Sequence, residues 1–339
     1  MVAMLSKLSV KVMIAVVLVS LLLFSGCSNQ TQQKSAAGSE PAGKQYDIIK
    51  VSTPNAASGT SLYYVGDELG FFAEEGLKME YVGVIPSTQL VASVIAGKID
   101  VGGAHVNRTI AGISAGAKIK AVAANTETTK DIPHMVFVAL ADSPIKTAQD
   151  LIGKKIGLSL SGGCHEYTPY AYLKKNGIAD PKSKLHFTIL AETLMEQALR
   201  QGDIEVAGMH KDPEYLRERG FKVVFSDYEI WGTDGGGTPA YFSEKFIQEK
   251  PDVVKRYVRA IAKSADWANA NPQKAAEITA KLGNTDPKIV KEGHFAPHAL
   301  ITEESVTLWI DLLTEFGEIK AGMKPSQIYT NEFNPNAKK

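Results

Sequence analysis

Short strand-like segments alternate with helix-like segments along most of this chain. Asp47–Val51 is the first apolar strand, and in Leu77–Val84 apolar and polar residues alternate with the period of two that a half-buried strand requires. The apolar residues of Asp252–Ala268 recur at helical spacing. This alternation predicts an α/β architecture, with the last strand at Val223–Phe225 and long helices from Tyr241 onward.

Residues 1–26 have the features of a bacterial lipoprotein signal peptide. A short basic region precedes the apolar run Val12–Phe24, which is shorter than the roughly 20 residues that a membrane span needs. Leu23–Cys27 then resembles a lipobox, although Phe24 stands where Leu is commonest. We expect Cys27 to be lipidated and to become the mature N-terminus; a plain secretory signal or a single anchor helix is the alternative.

Residues 27–45 are mostly small and polar, which predicts a flexible tether. The chain has two Cys residues, so lipidation of Cys27 would leave Cys164 without a partner for an intramolecular disulfide. Lys and Arg number 37, and so do Asp and Glu, a balance that gives no indication of nucleic-acid binding.

Two segments of the chain resemble each other. Ile95–His105 and Arg200–His210 align without a gap from Ile99 and Ile204 onward. Each contains a helix end, a polar turn, and a short strand with an acidic residue at its second position, and each ends in His. Similar units in both halves predict two lobes of similar topology.

Several stretches together resemble the nitrate-, sulfonate- and taurine-type periplasmic binding proteins, the SsuA/TauA and NMT1/THI5-like group. Tyr63–Glu80 resembles the helix that ends in a Gly-Phe-Phe step and leads into the second strand of that family. Asp150–Gly157 resembles the entry into its second lobe, and Phe246–Asn271 resembles its C-terminal helices. The order and spacing of these stretches, from Asp47 to about Phe316, carry the resemblance.

The resemblance implies a two-lobed periplasmic-binding-protein fold of type II with two hinge crossings. These crossings are expected near Pro133–Val138 and near Thr238–Phe242. Lobe 1 would then comprise residues 46–135 and 240–339, and lobe 2 residues 136–239. A ligand held between such lobes closes the hinge.

The function implied by the resemblance is that of an extracytoplasmic solute-binding lipoprotein. Such a protein is anchored by lipid to the outer face of the cell membrane and delivers its ligand to the permease and ATPase subunits of an ABC importer. We expect a monomer that is not an enzyme, needs no cofactor, and binds a small anionic or heteroaromatic solute such as nitrate, a sulfonate, taurine or a pyrimidine. A ligand-sensing lipoprotein without a transporter is an alternative.

The predicted ligand site lies where strands end, because open α/β sheets bind ligands at the carboxyl ends of their strands. Hydroxyls and backbone N–H groups at helix starts hold anions, although the same Ser and Thr residues also serve as ordinary N-caps. Aromatic residues are expected to wall an organic ligand. The candidates are Asn55, Ser58, Gly59, Thr60, Ser61, Ser87, Thr88, Asn107, Ser161, Gly162, Gly163, Cys164, Glu166 and Trp231, with Tyr63, Tyr64 and Tyr167 as further aromatic walls.

Four histidines also lie in predicted cleft loops: His105, His134, His165 and His210. Neutral imidazoles ligate Zn, Ni, Co or Cu, and as N–H donors they bind anionic organic ligands. A transition metal or its chelate, held by these four residues, is therefore the alternative ligand.

Nucleophilic catalysis by Cys164, His165 and Glu166 is disfavoured. Triad members must meet in space, and sequence neighbours at a helix start point in different directions. A related branch of the family makes the thiamine pyrimidine and carries a CCCFC motif, which this chain lacks.

Overall fold

The computed structural model describes residues 45–337, and within them ten strands form two five-stranded sheets. In chain order the strands are β1 (Asp47–Val51), β2 (Leu77–Tyr81), β3 (Val101–Gly103), β4 (Ile119–Ala123), β5 (Val136–Leu140), β6 (Lys155–Leu158), β7 (His186–Ile189), β8 (Val206–Met209), β9 (Phe221–Ser226) and β10 (Ala240–Ser243). The predicted signal peptide, the greater part of the tether and Cys27 lie outside the described residues.

The two sheets have the same strand pattern. Their orders are β2-β1-β3-β10-β4 and β7-β6-β8-β5-β9. In each sheet the first three strands are parallel, and the fourth runs antiparallel to both of its neighbours. The carboxyl ends of the parallel strands therefore face a common edge in each sheet, which is where open α/β sheets place ligands.

Helices pack on the sheets. They are α1 (Leu62–Glu68), α2 (Phe71–Glu74), α3 (Leu90–Ile95), α4 (Val106–Ser114), α5 (Cys164–Lys175), α6 (Glu192–Gln201), α7 (Pro213–Glu218), α8 (Tyr228–Trp231), α9 (Glu244–Glu249), α10 (Pro251–Ala270), α11 (Pro272–Leu282), α12 (Glu303–Glu315) and α13 (Pro325–Ile328). The structure thus has the predicted α/β architecture. Between residues 45 and 337, no helix combines the length and the apolar character that crossing a membrane requires.

The repeated segment has the same role in both sheets. The Asp100 carboxylate accepts the backbone N–H of Lys50 on β1 at 2.8 Å. The Glu205 carboxylate accepts the backbone N–H of Lys155 on β6 at 3.1 Å. Each acid thus joins the start of the third strand in the sheet order to the second strand of the same sheet, so the sequence similarity corresponds to equivalent structural positions.

Three elements differ from the sequence prediction. Val223–Phe225 is not the last strand, because β10 follows it and lies between β3 and β4. This strand has four residues between a Gly-rich loop and a helix, too short for its alternation to be recognised. Helix α4 was also missed, because its N-cap is His105 rather than a residue that typically caps helices. Helix α7 was missed although Asp212 caps it and Pro213 is its first residue.

The chain passes from the first sheet to the second after β4 and returns before β10, and hydrogen bonds join these two crossing segments. Thr126 Oγ1 donates to the carbonyl of Gly236 at 3.0 Å. Thr128 Oγ1 donates to Asp227 at 3.1 Å and accepts the backbone N–H of His134 at 2.8 Å. The buried Thr128 hydroxyl therefore links both crossings.

Removing this hydroxyl should destabilise the protein. Thr128→Val keeps the volume but leaves the His134 N–H and one Asp227 oxygen without this partner, which should cost about 1–3 kcal/mol. Urea unfolding measures the change, with Thr188→Val on the exposed face of β7 as the matched control. Equal stabilities of the two variants would contradict the assigned role of Thr128.

Candidate functional site

A cavity of about 510 Å³ lies at the carboxyl ends of β1 and β3. It contains six of the predicted ligand-site residues: Asn55, Ser58, Gly59, Thr60, Ser61 and Ser87. Thr88 lies on the same exposed turn as Ser87 but does not line the cavity. The first sheet and the elements around it thus supply this cavity.

Several of these side chains already have structural partners. Ser61 Oγ accepts the backbone N–H of Tyr64 as the N-cap of α1, and Asn55 Oδ1 accepts the backbone N–H of Ala57 at 3.2 Å. Thr60 Oγ1 donates to a backbone carbonyl at 3.1 Å. Within residues 45–337, the hydroxyls of Ser58 and Ser87 make no hydrogen bond to protein, so they are the ones free for a ligand.

One of the predicted aromatic walls lines this cavity. Tyr63 does so beside Tyr257, with the two hydroxyl oxygens 3.1 Å apart. Burial raises the pKa of Tyr63 to about 12, so its hydroxyl is neutral. The structure does not bring the other three aromatic candidates to the cavity. Tyr64 packs against Tyr81, Tyr167 stacks on Phe316, and Trp231 packs edge-on against Trp309.

A second cavity, of about 210 Å³, adjoins the first at Ser58, Gly59, Thr60 and Thr238. Its walls include His134 and His210, together with Lys291 and His294. The second cavity therefore connects the region of the first cavity with two of the predicted histidines.

The four predicted histidines converge in one cluster. The ring centroids of His105 and His134 are 5.4 Å apart, and those of His134 and His210 are 4.8 Å apart. His165 lies 4.7 Å from His210 by the same measure. Cys164 Sγ lies 3.8 Å from His134 Nε2. We call these five residues the histidine–cysteine cluster.

Four separate parts of the chain position the five members of the cluster. His105 follows β3, His210 follows β8, and His134 lies on the first crossing, whereas Cys164 and His165 begin α5. The chain approaches itself closely here, because a Cβ atom on Gly163 would lie 2.6 Å from Nδ2 of Asn107. Gly163 also has a φ of 73°, in the left-handed region. The lack of room for a Cβ atom and this backbone conformation both require Gly at the position.

Hydrogen bonds fix two of the rings. The Glu192 carboxylate faces His210 Nδ1 at 3.1 Å and also accepts the His210 backbone N–H at 3.0 Å. Both nitrogens of His105 have partners, because Nε2 donates to the Gly235 carbonyl at 2.8 Å and Nδ1 faces the Asn107 side chain at 2.9 Å. Nε2 of His210 is thus left for another partner, whereas both ring nitrogens of His105 already have hydrogen-bond partners.

Burial disfavours the charged forms of four members of the cluster. It lowers the pKa of His105 to about 4 and that of His165 to about 2, and it lowers the pKa of His134 well below its ordinary value. Burial also raises the pKa of the Cys164 thiol to about 12. Cys164 is therefore a protonated thiol at neutral pH and not an activated nucleophile.

Residues before and within α5 that were predicted to bind ligand have other positions. Glu166 faces away from the cluster: its carboxylate accepts the backbone N–H of Gly162 at 2.8 Å and the hydroxyl of Tyr170 at 3.2 Å. Ser161 is exposed, and neither Ser161 nor Gly162 lines the two cavities. The structure therefore does not assemble the triad of Cys164, His165 and Glu166.

Sequence reasoning missed Lys291, which lies in the second cavity. Its amine donates to the backbone carbonyl of Pro133 and, at 3.3 Å, to that of His134 on the first crossing. Burial lowers the pKa of Lys291 to about 8. No motif surrounds Lys291 in the sequence, so only the folded chain reveals its position.

The family model described as NMT1/THI5 like matches residues 58–275, which is more than half of the chain. The chain belongs to the NMT1/THI5-like family. The predicted family resemblance is thereby confirmed. Among curated relatives, the formylaminopyrimidine-binding protein of Halalkalibacterium halodurans is 22% identical over 87% of this chain and 84% of that protein.

Solved structures similar to this NMT1/THI5-like protein confirm the periplasmic-binding-protein fold. The periplasmic aliphatic sulphonate-binding protein SsuA of Escherichia coli has a TM-score of 0.67 and 16% identity, with 85% of this chain and 99% of SsuA covered. The ligand-binding component of an ABC-type import system from Staphylococcus aureus, with zinc bound, has a TM-score of 0.69 and 12% identity, with 86% and 99% covered.

The chain therefore has the solute-binding fold of sulfonate- and pyrimidine-type binding proteins. Relatives named for binding predominate in the comparison, and they support a non-enzymatic role. Two other curated relatives, from Legionella pneumophila and Saccharomyces cerevisiae, are named 4-amino-5-hydroxymethyl-2-methylpyrimidine phosphate synthases.

Acid should destabilise the protein through His165. Below its ordinary pKa of about 6.5 the imidazole of the unfolded chain binds a proton. The folded chain does not bind that proton at these pH values, because burial lowers the pKa of His165 to about 2. Protons thus favour unfolding. When the pH falls from about 7 to about 5, the free energy of unfolding should decrease by about 2 kcal/mol more in the wild type than in His165→Gln.

Urea unfolding with a chelator present measures this difference at each pH. His186→Gln, a change of an exposed histidine on β7, is the control and should keep the wild-type pH dependence. A wild-type pH dependence in His165→Gln would show that His165 accepts a proton in the folded state.

Proposed function

We propose that this protein is an extracytoplasmic solute-binding lipoprotein of an ABC importer, and that it captures a small heteroaromatic solute in the cavity of about 510 Å³. The size and lining of this cavity carry the proposal. Such a volume is in the range of pockets that enclose small organic ligands and far exceeds what an ion such as nitrate fills.

The chemistry of the lining favours a heteroaromatic ring over a strongly charged solute. Every residue that lines this cavity is uncharged, so no side chain there offers a full opposite charge to a sulfonate. Tyr63, Tyr257 and aliphatic residues give the apolar surface on which a flat ring packs. Ser58 and Ser87 supply hydroxyls that donate to or accept from ring nitrogens and substituents. The curated relative that binds formylaminopyrimidine is consistent with this ligand class.

Closure of one lobe on the other is the proposed capture step. Lobe 1 would comprise residues 46–135 and 240–339, and lobe 2 residues 136–239. The amine of Lys211 donates to the carbonyl of Ala57 at 3.2 Å, which ties the two proposed lobes beside the cavity. A ligand that contacts both lobes favours this closed arrangement by its higher affinity for it.

Filling the cavity should abolish solute binding. Ser87→Phe places a ring at the cavity wall, whereas Thr88→Phe adds the same ring to a neighbouring exposed position outside it. Thermal unfolding with aminopyrimidines at about a thousand times Kd should show a rise of several degrees in the wild type and in Thr88→Phe. Ser87→Phe should show none.

Alkanesulfonates and nitrate are tested in the same assay to separate the ligand classes. A rise with a sulfonate or nitrate but with no aminopyrimidine would reject the heteroaromatic assignment. Binding that survives in Ser87→Phe would place the ligand outside this cavity.

Lipid anchoring is tested at Cys27. Metabolic labelling with a radioactive fatty acid should label the wild type, which should fractionate with membranes. Cys27→Ser should lose both the label and the membrane association, because it removes the residue that would carry the acyl chains. Cys164→Ser is the control and should remain labelled, since its thiol is buried. Equal labelling of Cys27→Ser and the wild type would refute the lipoprotein assignment.

A further inference from the structure

We propose that the histidine–cysteine cluster is a transition-metal site, separate from the solute cavity, in which Cys164, His165 and His210 are ligands and His134 completes the set. The fit is best for a tetrahedral dication of the Zn²⁺ or Co²⁺ type. This inference goes beyond the proposed function, because it concerns different residues and a different ligand.

The distances between the proposed ligand atoms carry the inference. Cys164, His165 and His210 each offer one ligand atom, and these three atoms lie within 4.8 Å of one another. Tetrahedral zinc bound to nitrogen and sulfur needs ligand atoms about 3.5 Å apart. Small side-chain rotations about a central ion are therefore sufficient to form the site.

His134 is assigned as the fourth ligand on its contact with the sulfur alone, because its ligand atoms group with those of Cys164 and His105 and must move toward His165 and His210 when the ion binds. His134 Nε2 lies 3.8 Å from Cys164 Sγ, close to the separation of two ligands on one tetrahedral ion. The resulting set of one sulfur and three imidazole nitrogens suits borderline transition metals and does not suit Mg²⁺ or Ca²⁺, which prefer oxygen.

The surroundings of His210 are those of a metal ligand. Glu192 faces Nδ1 at 3.1 Å, so Nδ1–H donates to the carboxylate and Nε2 keeps its lone pair for a metal. A carboxylate that orients a metal-binding imidazole in this way commonly strengthens the site. Glu192 is a positioning residue here and does not touch the ion.

His105 is excluded from the set although it lies beside it. His105, His134 and Cys164 also have ligand atoms within 4.8 Å of one another. However, His105 Nε2 donates to the Gly235 carbonyl, and Nδ1 faces Asn107. Coordination by His105 would therefore break a bond that the metal-free protein already makes.

An ion reaches the cluster through the second cavity, whose walls include His134 and His210. On binding, the Cys164 thiol releases its proton to solvent and its sulfur forms the bond to the metal. Cys164 is the first residue of α5, and a helix N-terminus favours the thiolate that results.

Cobalt titration of the full chain tests the proposal. All proteins carry Cys27→Ser, so that Cys164 is the only thiol. After treatment with a chelator and its removal, Co²⁺ should produce a thiolate-to-cobalt charge-transfer band at one ion per chain, and Zn²⁺ should displace it. Cys164→Ser should lose the band, and His165→Gln and His210→Gln should weaken cobalt binding at least about 100-fold.

Control variants separate the site from general effects of substitution. His294→Gln removes a histidine that also pairs with a carboxylate, Glu127 at 3.0 Å, but lies outside the cluster; it should bind cobalt as the wild type does. Glu192→Gln leaves every ligand in place and should weaken binding about 10–100-fold. It remains informative if a ligand variant fails to fold in the presence of chelator.

Three results would overturn the proposal: no charge-transfer band in the wild type, a band that persists in Cys164→Ser, or equal cobalt affinities of His210→Gln and His294→Gln. Loss of cobalt binding in His105→Gln with retention in His210→Gln would overturn the assigned ligand set. Ser87→Phe distinguishes the two sites, because it should keep the cobalt band while it blocks the solute cavity.

Discussion

The pairing of the two crossing segments is the constraint on which the rest of the structure depends. Thr128 donates to Asp227 and accepts the backbone N–H of His134, and Asp227 also accepts the backbone N–H of Met135 at 3.2 Å. Lys291 adds its amine to the carbonyls of Pro133 and His134. The backbone that carries His134 is therefore fixed on several sides, and the cluster forms only because that backbone is held there.

The candidate site has two chemically distinct parts. The larger cavity is lined by hydroxyls, aliphatic groups and tyrosines and contains no charged side chain. The neighbouring cluster combines imidazoles with a thiol, and burial lowers the pKa of His105 and His165 and raises that of the Cys164 thiol. The second cavity shares walls with the larger one at Ser58–Thr60 and Thr238, and it also contacts His134 and His210 of the cluster. The fold can thus hold an organic ring and an ion without a common ligand atom.

Sequence reasoning predicted the parts of this structure that depend on local pattern. The strand and helix periods gave the α/β architecture, and the rule that ligands lie at strand ends directed attention to His105 and His210, which both lie beside His134 in the structure. Positions that depend on the folded chain were missed. Lys291 becomes buried only through contacts with a distant crossing, and Trp231 turns toward Trp309 instead of the cavity.

The equivalent positions of Asp100 and Glu205 bear on the origin of the chain. Two sheets with one strand order, each joined by an acid at the same point of its third strand, are what the duplication and fusion of an ancestral half would leave. His105 and His210 occupy equivalent positions in the two sheets, each directly after a short strand. One of them bonds to a backbone carbonyl and the other to a carboxylate, so the equivalent positions form an asymmetric pair in which only His210 keeps a ring nitrogen without a hydrogen bond.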